Sequence, residues 1–145
     1  MTVVGNSQGG AIAIATALRY PALVEKLVLM APGGLETRET YMAMEGIKAM
    51  IRVLYKEGIS KEEIDLYEIN EAFSGSTVAV MRQLDLDPSI VNVNGGSVAL
   101  GHPIGASGCR VLVTLLHEMI KQDKEIGLAS LCLGGGEAVA MIVKR

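Results

Sequence analysis

The 145-residue chain has no tryptophan, one phenylalanine and two cysteines, and no apolar run escapes interruption by glycine, proline or charge. Each shortage excludes something. No segment reaches the about 20 apolar residues that a membrane-spanning helix requires. Cys109 and Cys132 are too few for a disulfide scaffold, and no Cys/His cluster has metal-ligand spacing. Basic residues are also scarce: 13 Lys and Arg stand against 16 Asp and Glu, for a net charge of −3. Without a basic cluster, neither a nucleic-acid surface nor an anionic membrane surface is expected. Met1-Thr2-Val3-Val4-Gly5 reads as a strand and not as a basic leader, so the expected setting is the reducing cytoplasm.

What is present is apolar and small. Half of the residues are hydrophobic and mean hydropathy is +0.37, which excludes a disordered chain. Ala, Val, Ile, Leu and Met supply that content and suit buried parallel strands covered by helices. The length is enough for one domain with a real core.

Along the chain, strands are expected at Thr2–Gly5, Lys26–Ala31, Asp65–Ile69, Ile90–Asn94, Ile126–Leu133 and Glu137–Val143. Helices are expected at Ala11–Tyr20, from Thr37 to Glu57, and at Ala72–Gln83 and Cys109–Lys121. In the second of these, Ile47, Met50, Ile51, Leu54 and Tyr55 fall at helical spacing, and Gly58 is placed to end it. Ser60-Lys61-Glu62-Glu63 has the form of a capping box. The alternation predicts a single α/β domain, with a mostly parallel sheet, helices on both faces and a C-terminal antiparallel hairpin. Cys109 and the methionines, among them Met42, Met44 and Met50, read as core filling. His117 reads as a surface residue.

Two sets of residues carry chemistry. Gly5-Asn6-Ser7-Gln8-Gly9 is a G-x-S-x-G turn between strand and helix, which can expose a serine hydroxyl beside a free backbone N–H. Asp65, Asp85 and then His102 or His117 follow Ser7 in the chain order a catalytic triad would need. The second set comprises Asn70-Glu71-Ala72-Phe73, the stretch from Asn94 to Gly108 containing Gly101-His102-Pro103, and Cys132-Leu133-Gly134-Gly135-Gly136. Each follows a strand, and strand ends are where ligand chemistry collects in open α/β sheets. An amide, an imidazole and a thiol placed there form a plausible acyl-transfer set.

The first set, with the sequence that follows it and the stretch MEGIK, resembles the nucleophile-elbow region of α/β-hydrolases acting on ring meta-cleavage products. That resemblance covers about residues 1–47, and by it Ser7 would be a nucleophile. The second set resembles the thiolase C-terminal domain over about residues 58–145, as a thiolase-like half-domain. The thiolase resemblance implies that Asn70 positions the water of an oxyanion hole. It implies that His102 helps form that hole and activates a nucleophilic cysteine carried by the N-terminal domain of thiolases. Cys132 would be the acid/base at the acyl-CoA carbon, and Gly134, Gly135 and Gly136 would let backbone amides approach the intermediate.

The two resemblances together lead to one expectation: a chimera, engineered or recombined, joined within residues 48–57 and without efficient native catalysis. Acyl-CoA acyl transfer and a Ser7 esterase are the alternative readings. No cofactor or metal is expected. A homodimer is the expected assembly, and an acyl-CoA or ester the possible ligand.

Overall fold

The structure is a computed structural model and describes residues 1–6, 8–30, 45–134 and 137–145. The chain falls into two compact units, Met1–Tyr41 and Met42–Arg145. The first is a βαβ unit of β1 (Thr2–Asn6), α1 (Gln8–Arg19) and β2 (Lys26–Met30). Its strands pair in parallel from Thr2 opposite Lys26 to Asn6 opposite Met30. The expected cap at Thr37 lies outside the described residues.

The second unit is built on a three-stranded sheet ordered β3 (Leu66–Ile69), β4 (Ile126–Gly134), β5 (Glu137–Lys144). β3 and β4 are parallel, and β4 and β5 form the antiparallel hairpin expected from the sequence. The helices are α2 (Glu45–Glu57), α3 (Ser74–Leu84), the single turn α4 (Ser97–Leu100) and α5 (Ser107–Lys121).

Alternation along β3 divides the core between the two sheet faces. Tyr67 and Ile69 pack with Leu128 against Ile47, Met50 and Leu54 of α2 and Val80 of α3. Leu66 faces the other way and packs with Ala129 against Val111, Leu115 and Met119 of α5. Helices therefore cover both faces. The α2 stripe is narrower than its spacing suggests, for Ile51 and Tyr55 are exposed. Gly58 ends α2 in the left-handed region at φ 65°. Gly58 N–H donates to the Tyr55 carbonyl and Ile59 N–H to that of Leu54, the paired bonds of a Schellman motif.

The fourth strand expected at Ile90–Asn94 does not form. Pro88–Ile90 is a 3₁₀ turn, capped by the Asp87 carboxylate, which accepts from Ser89 N–H at 2.8 Å. Only Val91 bridges to Tyr67 in parallel register. Asn92 then turns left-handed at φ 49° and ends any ladder. Its side chain takes over as the missing strand: Oδ1 accepts from Ile69 N–H at 2.7 Å, and Nδ2 donates to the Ile69 carbonyl at 2.8 Å. Cys109 is exposed, not a core residue, because it stands on the side of α5 away from the sheet. His117 is exposed as expected.

At Gly127 side chains of α5 press against the β4 backbone. A Cβ there would lie 2.6 Å from Met119 Sδ and 3.0 Å from Leu115 Cδ1. Both neighbours are fully buried and have no room to yield. Gly127→Val is expected to destabilise by about 1–3 kcal/mol. Gly75→Ala, where a Cβ meets open space, is expected to be neutral or to stabilise by about 0.5–1 kcal/mol. Urea unfolding of the two variants beside the parent checks both.

Candidate active site

The C-terminal ends of β3 and β4 bring the second set of residues together. Asn70 follows β3, and its N–H donates to the Ser130 carbonyl at 2.9 Å, continuing the β3–β4 pairing by one residue. That places its side chain beside Cys132 near the end of β4. Asn70 Nδ2 lies 3.4 Å from Cys132 Sγ and 3.4 Å from His102 Nε2. Asn70 is buried, whereas His102 and Cys132 are half-buried, so the amide is fixed from below and the ring and thiol can be reached.

Polar groups that received no role in the sequence reading hold these three. Ser97, buried at the start of α4, donates from Oγ to Asn70 Oδ1 at 2.7 Å. Ser107, buried at the start of α5, has its Oγ 2.6 Å from His102 Nδ1 and 3.0 Å from the Pro103 carbonyl it donates to. Glu71 joins the layers, since Oε1 accepts from Asn92 Nδ2 at 3.0 Å and Oε2 from Val98 N–H at 3.0 Å. The Glu71 carboxylate lies where a Cβ on Gly96 would be. The signal that could have found these residues is their position: each serine opens a helix directly after a glycine-bearing loop.

Below the cluster lies a buried ion pair. Arg110 Nη1 is 2.7 Å from Glu68 Oε1, and Glu68 is 2% exposed. Burial pushes the Glu68 carboxyl up from its ordinary value despite the opposing hydrogen bond and charge of Arg110. Glu118 is held below the ordinary value, mainly by hydrogen bonds from Asn94 and Gln122.

The residues read in triad order after Ser7 have other partners in the second unit. Ser7 lies outside the described residues. The Asp65 carboxylate accepts from Glu125 N–H at 3.0 Å and Ile126 N–H at 2.9 Å, which ties down the start of β4. Asp85 ends α3 in the left-handed region. The partner of His102 Nδ1 is a serine hydroxyl, not a carboxylate. Gly134 closes β4, and Gly135 and Gly136 lie outside the described residues. Among the described residues, no three His, Cys, Asp or Glu side chains gather as a metal site. No helix among them is long and apolar enough to cross a membrane.

An amide just after β3 and a thiol near the end of β4, with the imidazole of the α4–α5 loop beside the amide, stand at the strand ends where ligand chemistry collects in α/β sheets. Residues 23–145 match the family described as thiolase, C-terminal domain. The chain is 51% identical to the acetyl-CoA acetyltransferase of Pseudomonas aeruginosa over 131 residues, 90% of this chain and 33% of that protein. With the acetyl-CoA acetyltransferase of Cupriavidus necator it shares 55% identity over 104 residues, 72% of this chain and 26% of that protein. The solved acetyl-CoA acetyltransferase of Bacillus anthracis superposes with a TM-score of 0.68 at 48% identity, covering 71% of this chain and 26% of that one. Human mitochondrial 3-ketoacyl-CoA thiolase gives 0.68 at 43% identity, covering 72% of this chain and 26% of that one. The chain belongs to the thiolase C-terminal domain family. It spans between a quarter and a third of the length of these relatives.

These matches overturn the expected chimera without native catalysis. A match over 131 of 145 residues takes in most of the segment assigned to a hydrolase, and the family match begins at residue 23. Neither match stops at the junction expected within residues 48–57. The resemblance of about residues 1–47 to a hydrolase elbow finds no support in either match.

Two outcomes are expected at the site. Gly96→Ala displaces the Glu71 carboxylate and breaks its two hydrogen bonds, with an expected loss of about 2 kcal/mol, read by chemical denaturation. The second concerns pH. Because the folded-state value of Glu68 is raised, the folded chain holds that proton more tightly than the unfolded one. Its contribution to stability therefore falls as pH rises above the ordinary value of 4.5 through the raised one. Glu68→Gln removes that slope, and unfolding midpoints across the range should vary less with pH than in the parent.

Proposed function

We propose that the chain supplies the proton-handling part of an acyl-CoA acyl-transfer site, with acetyl-CoA as the substrate class. The observation that carries this reading is the Asn70 amide lying 3.4 Å from both His102 Nε2 and Cys132 Sγ. It stands in a chain whose relatives bear the name acetyl-CoA acetyltransferase. In this reading His102 Nε2 takes the proton of a nucleophilic thiol other than Cys132, and the nitrogen then donates to the oxygen of the attacked thioester. Asn70 Nδ2 holds a water that donates to the same oxygen. Cys132, as thiolate, removes a proton from the carbon next to the acyl carbonyl, and as thiol returns it in the reverse direction.

The same reading includes a homodimer. Val113 and Ile120 on α5 and Val139 and Met141 on β5 are exposed apolar side chains that support a protein partner for this unit.

The test replaces the matching third of the Pseudomonas aeruginosa enzyme with this chain and assays acetyl transfer from acetyl-CoA. The fusion is expected to be active, and Cys132→Ala to lower turnover by about 10²–10⁴-fold. Cys109→Ala, on the exposed side of α5, should leave it unchanged. Full turnover in the Cys132→Ala fusion would overturn the assignment.

A further inference from the structure

We infer that Ser107 is a positioning residue that fixes His102 as the Nδ1–H tautomer, leaving the Nε2 lone pair facing the site. The inference deepens the acyl-transfer reading and rests on it for its functional meaning, although the tautomer itself can be measured without substrate.

Ser107 is 0% exposed. A hydroxyl is costly to bury unless it is hydrogen-bonded, and this one has a partner on each side. Its single hydrogen has two acceptors in reach, the Pro103 carbonyl at 3.0 Å and an unprotonated His102 Nδ1 at 2.6 Å. With the hydroxyl hydrogen on Pro103, the His102 Nδ1 contact at 2.6 Å is supplied by a hydrogen on the ring. The far side of the imidazole selects this arrangement. Ser97 Oγ donates to Asn70 Oδ1 at 2.7 Å, which turns the Asn70 NH₂ group toward His102 Nε2. An Nε2–H would set two donors against each other, whereas an Nε2 lone pair accepts.

All the hydrogens in this row run one way: Asn70 Nδ2–H to His102 Nε2, His102 Nδ1–H to Ser107 Oγ, and Ser107 Oγ–H to the Pro103 carbonyl. The arrangement contains no carboxylate. The Nδ1–H bond to Ser107 is available to both the neutral and the charged ring. A proton arriving at Nε2 takes the place of the Asn70 N–H contact and leaves again without the ring turning. A serine serves here as the orienting group that a carboxylate supplies in many histidine sites.

The experiment is ¹⁵N NMR of the histidine ring nitrogens in the full chain, with His102→Gln to assign the signals and exposed His117 as internal control. The parent is expected to show a protonated Nδ1 and an unprotonated Nε2 at His102 when neutral. Ser107→Ala should shift His102 toward the Nε2–H form, and Ser107→Thr, which keeps the hydroxyl, should hold the parental tautomer. His117 should not change in any of them. A neutral parent carrying Nε2–H, or a Ser107→Ala chain that keeps the parental tautomer, would overturn the inference. The parent spectrum decides even if a variant does not fold. In the fusion described above, Ser107→Ala should lower kcat by up to about 100-fold with KM little changed, as expected for a misplaced catalytic group. An inactive parent fusion with the Nδ1–H tautomer intact would count against the acyl-transfer reading alone. An active one with the opposite tautomer would count against the role of Ser107 alone.

Discussion

The second unit depends on what the Asn70 amide can reach. Its backbone N–H closes the last rung between β3 and β4, and its side chain spans Ser97, His102 and Cys132. Those residues come from a helix start, a loop and a strand that lie far apart in sequence. A buried amide with unmet donors or acceptors would cost more than its hydrogen bonds return. The surrounding segments must therefore converge on it, and the site's geometry follows from meeting that demand. Glu71 enforces the convergence from the next position, holding α4 and the Asn92 turn together.

Much of this is legible in the sequence itself. The strands at 66–69, 126–134 and 137–144 fall where short apolar runs are bounded by turn residues, and Gly58 ends its helix as its type suggests. Asn70, His102 and Cys132 were each recognisable as polar residues following strands or set in glycine-bearing loops. The fourth strand was not recoverable from pattern. Ile90, Val91 and Val93 have strand-like composition, but Asp87-Pro88-Ser89 forms a capped turn and Asn92 adopts a left-handed backbone that the apolar pattern does not register. The burial of α2 was only half legible, because helical spacing alone does not say how wide a stripe its neighbours cover.

The N-terminal segment shows a different limit. The hydrolase resemblance of about residues 1–47 hangs on a glycine–serine pattern between a strand and a helix, and such a pattern speaks chiefly of turn geometry. The likeness of 131 residues to thiolases is set by the whole succession of strands, loops and polar positions. When the two disagree, the longer pattern constrains more independent choices and prevails. The orienting serines were missed for a related reason. In sequence Ser97 and Ser107 look like ordinary helix starts, and only the positions of Asn70 and His102 reveal that their hydroxyls are used sideways.

Asn92 stands in for a strand by offering an acceptor and a donor to one residue, Ile69. An aspartate would have nearly the same outline and volume, yet it would set a carboxylate oxygen against the Ile69 carbonyl. What this position stores is polarity and not shape, so two side chains of equal size are opposites there. Spontaneous hydrolysis of the amide, a replacement of nitrogen by oxygen, would set that repulsion beside Ile69 at the end of β3. The strand end on which the site is built could thus be undone by chemical ageing at a single residue, with no change in packing to announce it.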